Sequence, residues 1–162
     1  MVMIEDEYYD EHKREMSWSD KIEEKLNEYM SICDKRSSNH DQKSKQMKIL
    51  YYFFSVTGIT IPFILTFISS LETMFSEEFE HTFKYVSSSL ILTTSIVNGI
   101  NTFFNFGSKE KEHDIASIRY KELNLDIDNV LILKRKYRNA ADVCLTKFTT
   151  RLESLNKFSI GL

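Results

Sequence analysis

The stretch that decides the fold is ILYYFFSVTGITIPFILTFISSL, residues 49–71, followed after a short link by YVSSSLILTTSIVNGINTFFNF, residues 85–106. Neither contains Asp, Glu, Lys or Arg. At about 1.5 Å of rise per helical residue, each reaches roughly 30 Å, the thickness of a bilayer's hydrocarbon core. The pair predicts an all-α fold built on a two-span transmembrane hairpin. The competing reading is a soluble bundle with both helices buried, but a chain this small rarely encloses two such long charge-free helices.

Outward from the hairpin, charge is sorted. The link Glu72–Lys84 carries Glu72, Glu77, Glu78 and Glu80 against Lys84. Lys43, Lys45 and Lys48 precede the first segment, and Lys109, Lys111, Arg119 and Lys121 follow the second. Positive charge at both outer ends predicts that both termini lie in the cytoplasm and the link on the far side. Aromatics mark the expected interfaces: Tyr51, Tyr52, Phe53 and Phe54 at one, Tyr85 at the other, and Phe103, Phe104 and Phe106 at the exit.

A length of 162 residues predicts one domain, and the net charge is -3. Those averages resemble a soluble protein because charge is confined to the flanks and the link. Only four glycines and one proline punctuate the chain, which favours helices over tightly turned sheets. No Gly-rich phosphate loop can be formed from them. Cys33 and Cys144 fall at apolar helical positions and read as buried free thiols. Residues 1–16 are acidic and predict a flexible N-terminus without a cleavable signal, so the first apolar segment would itself direct insertion.

The flanks are amphipathic. Trp18, Ile22, Leu26, Tyr29 and Cys33 recur at steps of three and four, predicting a cytosolic helix over 17–34, with Ser17-x-x-Asp20 as its capping box. Lys35-Arg36-Ser37-Ser38-Asn39 reads as a turn, and Asn39 can cap a helix that continues into the first span. From 110 to 157 one or two long helices are predicted. Their seam runs through Tyr120, Leu123, Ile127, Val130, Lys134, Tyr137, Ala141, Cys144, Phe148, Leu152 and Leu155. Lys134 interrupts it.

The second apolar segment is polar for its length. Ser87, Thr94, Asn98, Asn101 and Asn105 share one helical face, and Ser88, Ser95, Gly99 and Thr102 form a neighbouring small-residue stripe. A fainter counterpart, Ser55, Gly58, Pro62, Thr66 and Ser69, lies on the first segment. Bare amides are costly against lipid, so these faces should turn inward. Two inward uses are open: helix packing, at about 0.6–2 kcal/mol per cross-helix hydrogen bond, or the lining of a wet path through an oligomer. Pro62 predicts a kink.

His12, His40, His81 and His113 are scattered, and none pairs with another ligand at metal-binding spacing. His113 beside Asp114 reads as a local hydrogen-bonded pair. The cluster Lys134-Arg135-Lys136 with Arg138 reads as a solvated face, or one that touches anionic headgroups. No nucleophile, acid–base pair or metal set emerges, so no enzymatic activity, cofactor or metal is expected, and no nucleic-acid binding.

The exit from the second segment reads Ser95-Ile96-Val97-Asn98-Gly99-Ile100-Asn101, then Phe103-Phe104-Asn105-Phe106, then His113, Ala116, Tyr120 and Leu123. With the Trp18, Leu26 and Tyr29 helix before the hairpin, it resembles the SLATT family of two-transmembrane domains, over residues 17–157. The variants found in large DNA viruses of eukaryotes are the most similar in flavour. The resemblance implies two membrane helices flanked by cytosolic ones in a single SLATT-like domain. Bacterial members are regarded as membrane-acting, pore-forming effectors. It implies that Thr94, Asn98 and Asn101 face oligomeric neighbours, and that Trp18, His113, Tyr120 and Leu123 dock the cytosolic helices. Against the bacterial layout, no fused sensor domain is expected from these residues. The expected partners are a lipid bilayer, further copies of the chain and proteins held by the cytosolic helices. Two functions stay open: a pore-forming or membrane-remodelling effector, or a structural scaffold such as a component of a virion's internal membrane, with the termini then facing the virion interior.

Overall fold

The computed structural model describes residues 17–70 and 77–160, the side chains of 77–80 and 160 excepted. The acidic N-terminus with His12, and Glu72 of the link, lie outside the described residues, as do the side chains of Glu77, Glu78 and Glu80. Among those described, the chain is all-helical. The elements are α1 (Asp20–Ser70), α2 (Glu77–Phe104), α3 (Phe106–Ile132), a 3-10 turn (Arg135–Tyr137) and α4 (Ala141–Ile160). The chain divides into two compact units. One holds the chain up to Lys43 and from Glu112 onward, and the other holds Ser44–Lys111.

The first unit is a three-helix bundle, and its contacts fix the helix directions. Along α1 and α3, Arg36 reaches Tyr120, Ser37 meets Ser117 and His40 meets His113, so these helices are antiparallel. Along α3 and α4, Asp126 pairs with Arg151 and Tyr120 with Asn156, again antiparallel. Ser17 with Ala141 and Tyr29 with Thr149 make α1 and α4 parallel. The core is Trp18, Leu26, Cys33, Tyr120, Leu123, Ile127, Ala141, Cys144, Phe148, Leu152 and Leu155. Free Cys33 and Cys144 are buried in it, and burial pushes the Cys33 thiol up to about 11.

Two local expectations differ from what forms, and a third, the C-terminal seam, loses Tyr137. The helix entry uses the Ser19 carbonyl, which accepts from the amides of Ile22 and Glu23, while the Ser17 hydroxyl accepts from the Ala141 amide. No turn occurs at 35–39; α1 runs through it unbroken. The polar residues there do not interrupt the inward face but occupy it: Ser37 and His40 are buried and find polar partners on α3. The long C-terminal seam does break, between Ile132 and Ala141, around Lys134. Tyr137, expected on the seam, is exposed in that connection.

The second unit pairs α1 from Ser44 onward with α2. By length and composition α1 is apolar enough to cross a membrane, whereas α2 does not meet that measure. Its serines, threonines and asparagines are the reason. Large apolar side chains are exposed along both helices, including Ile59, Phe63 and Phe67 on α1 and Ile91, Leu92 and Ile96 on α2. At the end of α2, Phe54, Phe104 and Phe106 stack with ring centroids 5.4–5.6 Å apart.

Candidate functional site

In the second unit the polar side chains of α2 meet the small residues of α1. Thr94 is buried, and its hydroxyl donates to the Leu90 carbonyl at 2.8 Å. The Asn98 amide fills the notch left by Gly58: a Cβ there would sit 2.1 Å from its Oδ1. One turn on, the Asn101 amide donates to Ser55 Oγ at 3.4 Å. Gly58 is thus the position where an absent side chain makes room for an amide. Toward the other end Ser87 lines a groove of about 580 Å³ with Pro62, Leu65, Ser69, Phe83 and Ile91. The helix continues through Pro62, and the Thr66 hydroxyl donates to the Pro62 carbonyl at 2.9 Å.

Asn105 stands apart from this face. It separates α2 from α3 with φ of 48°, a left-handed conformation that asparagine tolerates better than most residues. Its amide donates to the Asn101 carbonyl, closing α2, and its carbonyl accepts from Ser108 and Lys109, opening α3.

Four exposed hydroxyls of α2 are satisfied within their own helix. Ser88, Ser89, Thr93 and Ser95 each donate to the carbonyl four residues earlier, at 2.7–3.0 Å. Back-bonding of this kind leaves no donor requiring water. The Asn101 amide instead finds its acceptor on the partner helix, at Ser55.

In the first unit the four residues expected to dock the cytosolic helices are all buried: Trp18, Tyr120 and Leu123 belong to the apolar core, and His113 meets a polar partner. Trp18 donates from Nε1 to the Asn139 carbonyl at 3.0 Å and is covered by Arg138 at 4.7 Å from its ring. Leu123 is plain core. Tyr120 accepts from Arg36 at 3.3 Å and donates to Asn156 at 2.9 Å.

His113 faces His40, Nδ1 to Nδ1, at 3.0 Å. Burial, then the neighbouring His113, Lys43 and Arg36, hold His40 below its ordinary value. Scanning for ligands at helical spacing misses this pair, because its members come from two helices.

The basic cluster also differs from its expectation. Arg138 is 7% exposed, neither solvated nor free for a headgroup. It donates to the carbonyls of Leu131 and Leu133, at the end of α3, and to Glu23 at 2.6 Å. Arg135 also donates to Glu23, at 2.9 Å. The two guanidiniums, Arg135 foremost, hold the Glu23 carboxyl down to about 2 against the opposing effect of burial.

Among the described residues no group of three or more His, Cys, Asp or Glu gathers to hold a metal. Comparison of the chain with protein-family models, curated proteins and solved structures finds no match.

Proposed function

We propose that the chain is a two-span integral membrane protein whose apolar helix pair anchors a non-enzymatic three-helix bundle used to tether other proteins. The observation that carries this reading is the sorting of side chains in the α1–α2 pair. Thr94 is buried and the Asn101 amide donates to Ser55, while Ile59, Phe63, Phe67, Ile91, Leu92 and Ile96 are exposed. A water-soluble pair would place its groups the other way round. A chain that crosses twice returns to the side it left, so both segments of the bundle fall on one side, the cytosolic side by the distribution of lysines.

The second reading is an oligomeric pore-forming or remodelling effector, to which the SLATT-like layout of residues 17–157 points. The Asn101 amide argues for the scaffold, because it already donates to Ser55 within a single chain, whereas Asn98, packed at Gly58 but exposed, is the amide that a shared channel would have to use. Homo-oligomers remain compatible with both readings.

Reconstitution into dye-loaded vesicles separates the two. A scaffold leaves vesicles tight and co-purifies with a stable protein partner. Ion leakage that disappears in Asn98→Leu/Asn101→Leu would sink the scaffold in favour of the effector. Topology is read by placing glycosylation acceptors in the 71–84 link and at either end: only the link should be modified.

A further inference from the structure

The His40–His113 contact is a buried polar device that neither tethering nor membrane anchoring uses. The two rings come from antiparallel helices, with Nδ1 atoms 3.0 Å apart and centroids 5.2 Å apart. Both residues are buried, at 9% and 3% exposure. The ring of Tyr120 stacks on His40 at 5.9 Å, and the Ser37–Ser117 pair lies one turn away. A metal is a poor occupant, since two nitrogens with no third ligand gathered beside them among the described residues do not complete a coordination shell. A proton fits.

At this separation one Nδ1 must carry hydrogen and the other a lone pair, so the rings hold opposite tautomers. One further proton, on the outer nitrogen of the donating ring, leaves that bond in place and makes it charge-assisted. A second places N–H against N–H. The contact cannot survive it.

We propose that His40 and His113 form a proton-operated latch between α1 and α3, closed until the pair takes up its second added proton and open thereafter. The latch lies three residues from Lys43 and one from Glu112, the points where both helices leave the bundle unit. Opening it loosens those ends while the apolar core holds the rest.

The surrounding charges set the direction. From α1, Arg36 and Lys43 act on His40, and from α3 His113 does; all three oppose its protonation. Tyr120 is the titratable group facing it from α3, and α4 reaches that tyrosine through uncharged Asn156 and Ser159. Asp41, Glu112 and Asp114 adjoin the histidines in sequence, and none of them is among the groups that shift His40. A histidine held below its ordinary value in the fold binds its proton more readily when released. The closed state is therefore complete above about pH 6.5 and weakens as pH falls below that.

Amide hydrogen exchange of the full chain in detergent micelles, corrected for intrinsic rates, tests this between about pH 7.5 and about pH 5. Protection over residues 36–43 and 113–120 should fall about tenfold, with residues 144–155 changing by less than about threefold. In His40→Gln/His113→Gln, which keeps hydrogen-bonding capacity but cannot titrate, the fall should vanish. An equal fall in that variant, or none in the native chain, overturns the latch. Should the variant fail to fold, imidazole nitrogen resonances of the native chain decide. Two ring titrations split apart support the latch, and two coincident ones at the ordinary histidine value overturn it.

Discussion

Arg138 holds a charge where burial would otherwise penalise it, and each of its nitrogens has a task. Two accept the role of helix cap for the Leu131 and Leu133 carbonyls, and the third meets Glu23. Its plane lies over Trp18, so removing it uncovers the indole as well. Arg138→Met should cost about 3 kcal/mol, because two carbonyls and a carboxylate lose their donor together. Arg138→Lys should not restore it, since one ammonium cannot span the three acceptors. Denaturant titration of the full chain in micelles gives both values. Glu23 supplies the pH counterpart. Its carboxyl is held at about 2 in the fold against 4.5 without its partners, so the stability it lends is complete above about pH 4.5 and lost as pH falls toward 2. With its side chain a quarter exposed, that contribution is on the order of 2 kcal/mol after allowing for solvent. Glu23→Gln should be less stable by that amount at neutral pH, and its curve should meet the native one near pH 2. Curves that stay parallel throughout would refute the ion pair's role.

At the scale of elements, α1 was legible in part. The steps Trp18, Ile22, Leu26, Tyr29 and Cys33 identified the inward stripe, and the uncharged run from Ile49 identified the apolar half. Between them the same step continues as Ser37 and His40, but hydropathy registers these as polar and suggests a turn. The period carried the information and polarity concealed it, because the partners that satisfy these groups, Ser117 and His113, are distant in sequence. The break at Lys134 was marked as an interruption of the seam. What the sequence could not display was that Arg138 folds back to cap the helix it follows, for a capping side chain five to seven residues downstream has no periodic signature. On α2, the helical spacing of Thr94, Asn98 and Asn101 is visible in the sequence, whereas the bend at Asn105 requires the backbone angle. Ser38 is exposed in mid-helix, so Ser38→Pro separates helix from turn. In a continuous α1 it removes a hydrogen bond and clashes with the preceding turn, at about 3 kcal/mol. Far-ultraviolet circular dichroism and melting should report that loss. A turn would accept the proline without change.

For the molecule as a whole, the sign of one substitution distinguishes lipid from water around the apolar pair. Phe63 and Ile59 are 74% and 72% exposed, near the middle of the uncharged run on α1. If water surrounds them, Ile59→Arg/Phe63→Arg replaces two exposed apolar side chains with charged ones. Such surface changes lie within about 0.5 kcal/mol each and improve solubility. If hydrocarbon surrounds them, each arginine costs about 2.5–3.5 kcal/mol at a helix centre, enough for the pair to oppose insertion. Thr60 and Thr57, close by on the same helix, offer no relief, since a hydroxyl cannot neutralise a guanidinium in lipid. The membrane reading therefore expects the native chain to pellet with membranes after an alkaline carbonate wash, and the arginine variant to leave the pellet or be degraded. A native chain that stays in the supernatant, with a variant that is merely more soluble, would remove the anchor. The scaffold and the effector would then fall together, while the histidine latch, which belongs to the bundle alone, would still stand to be tested.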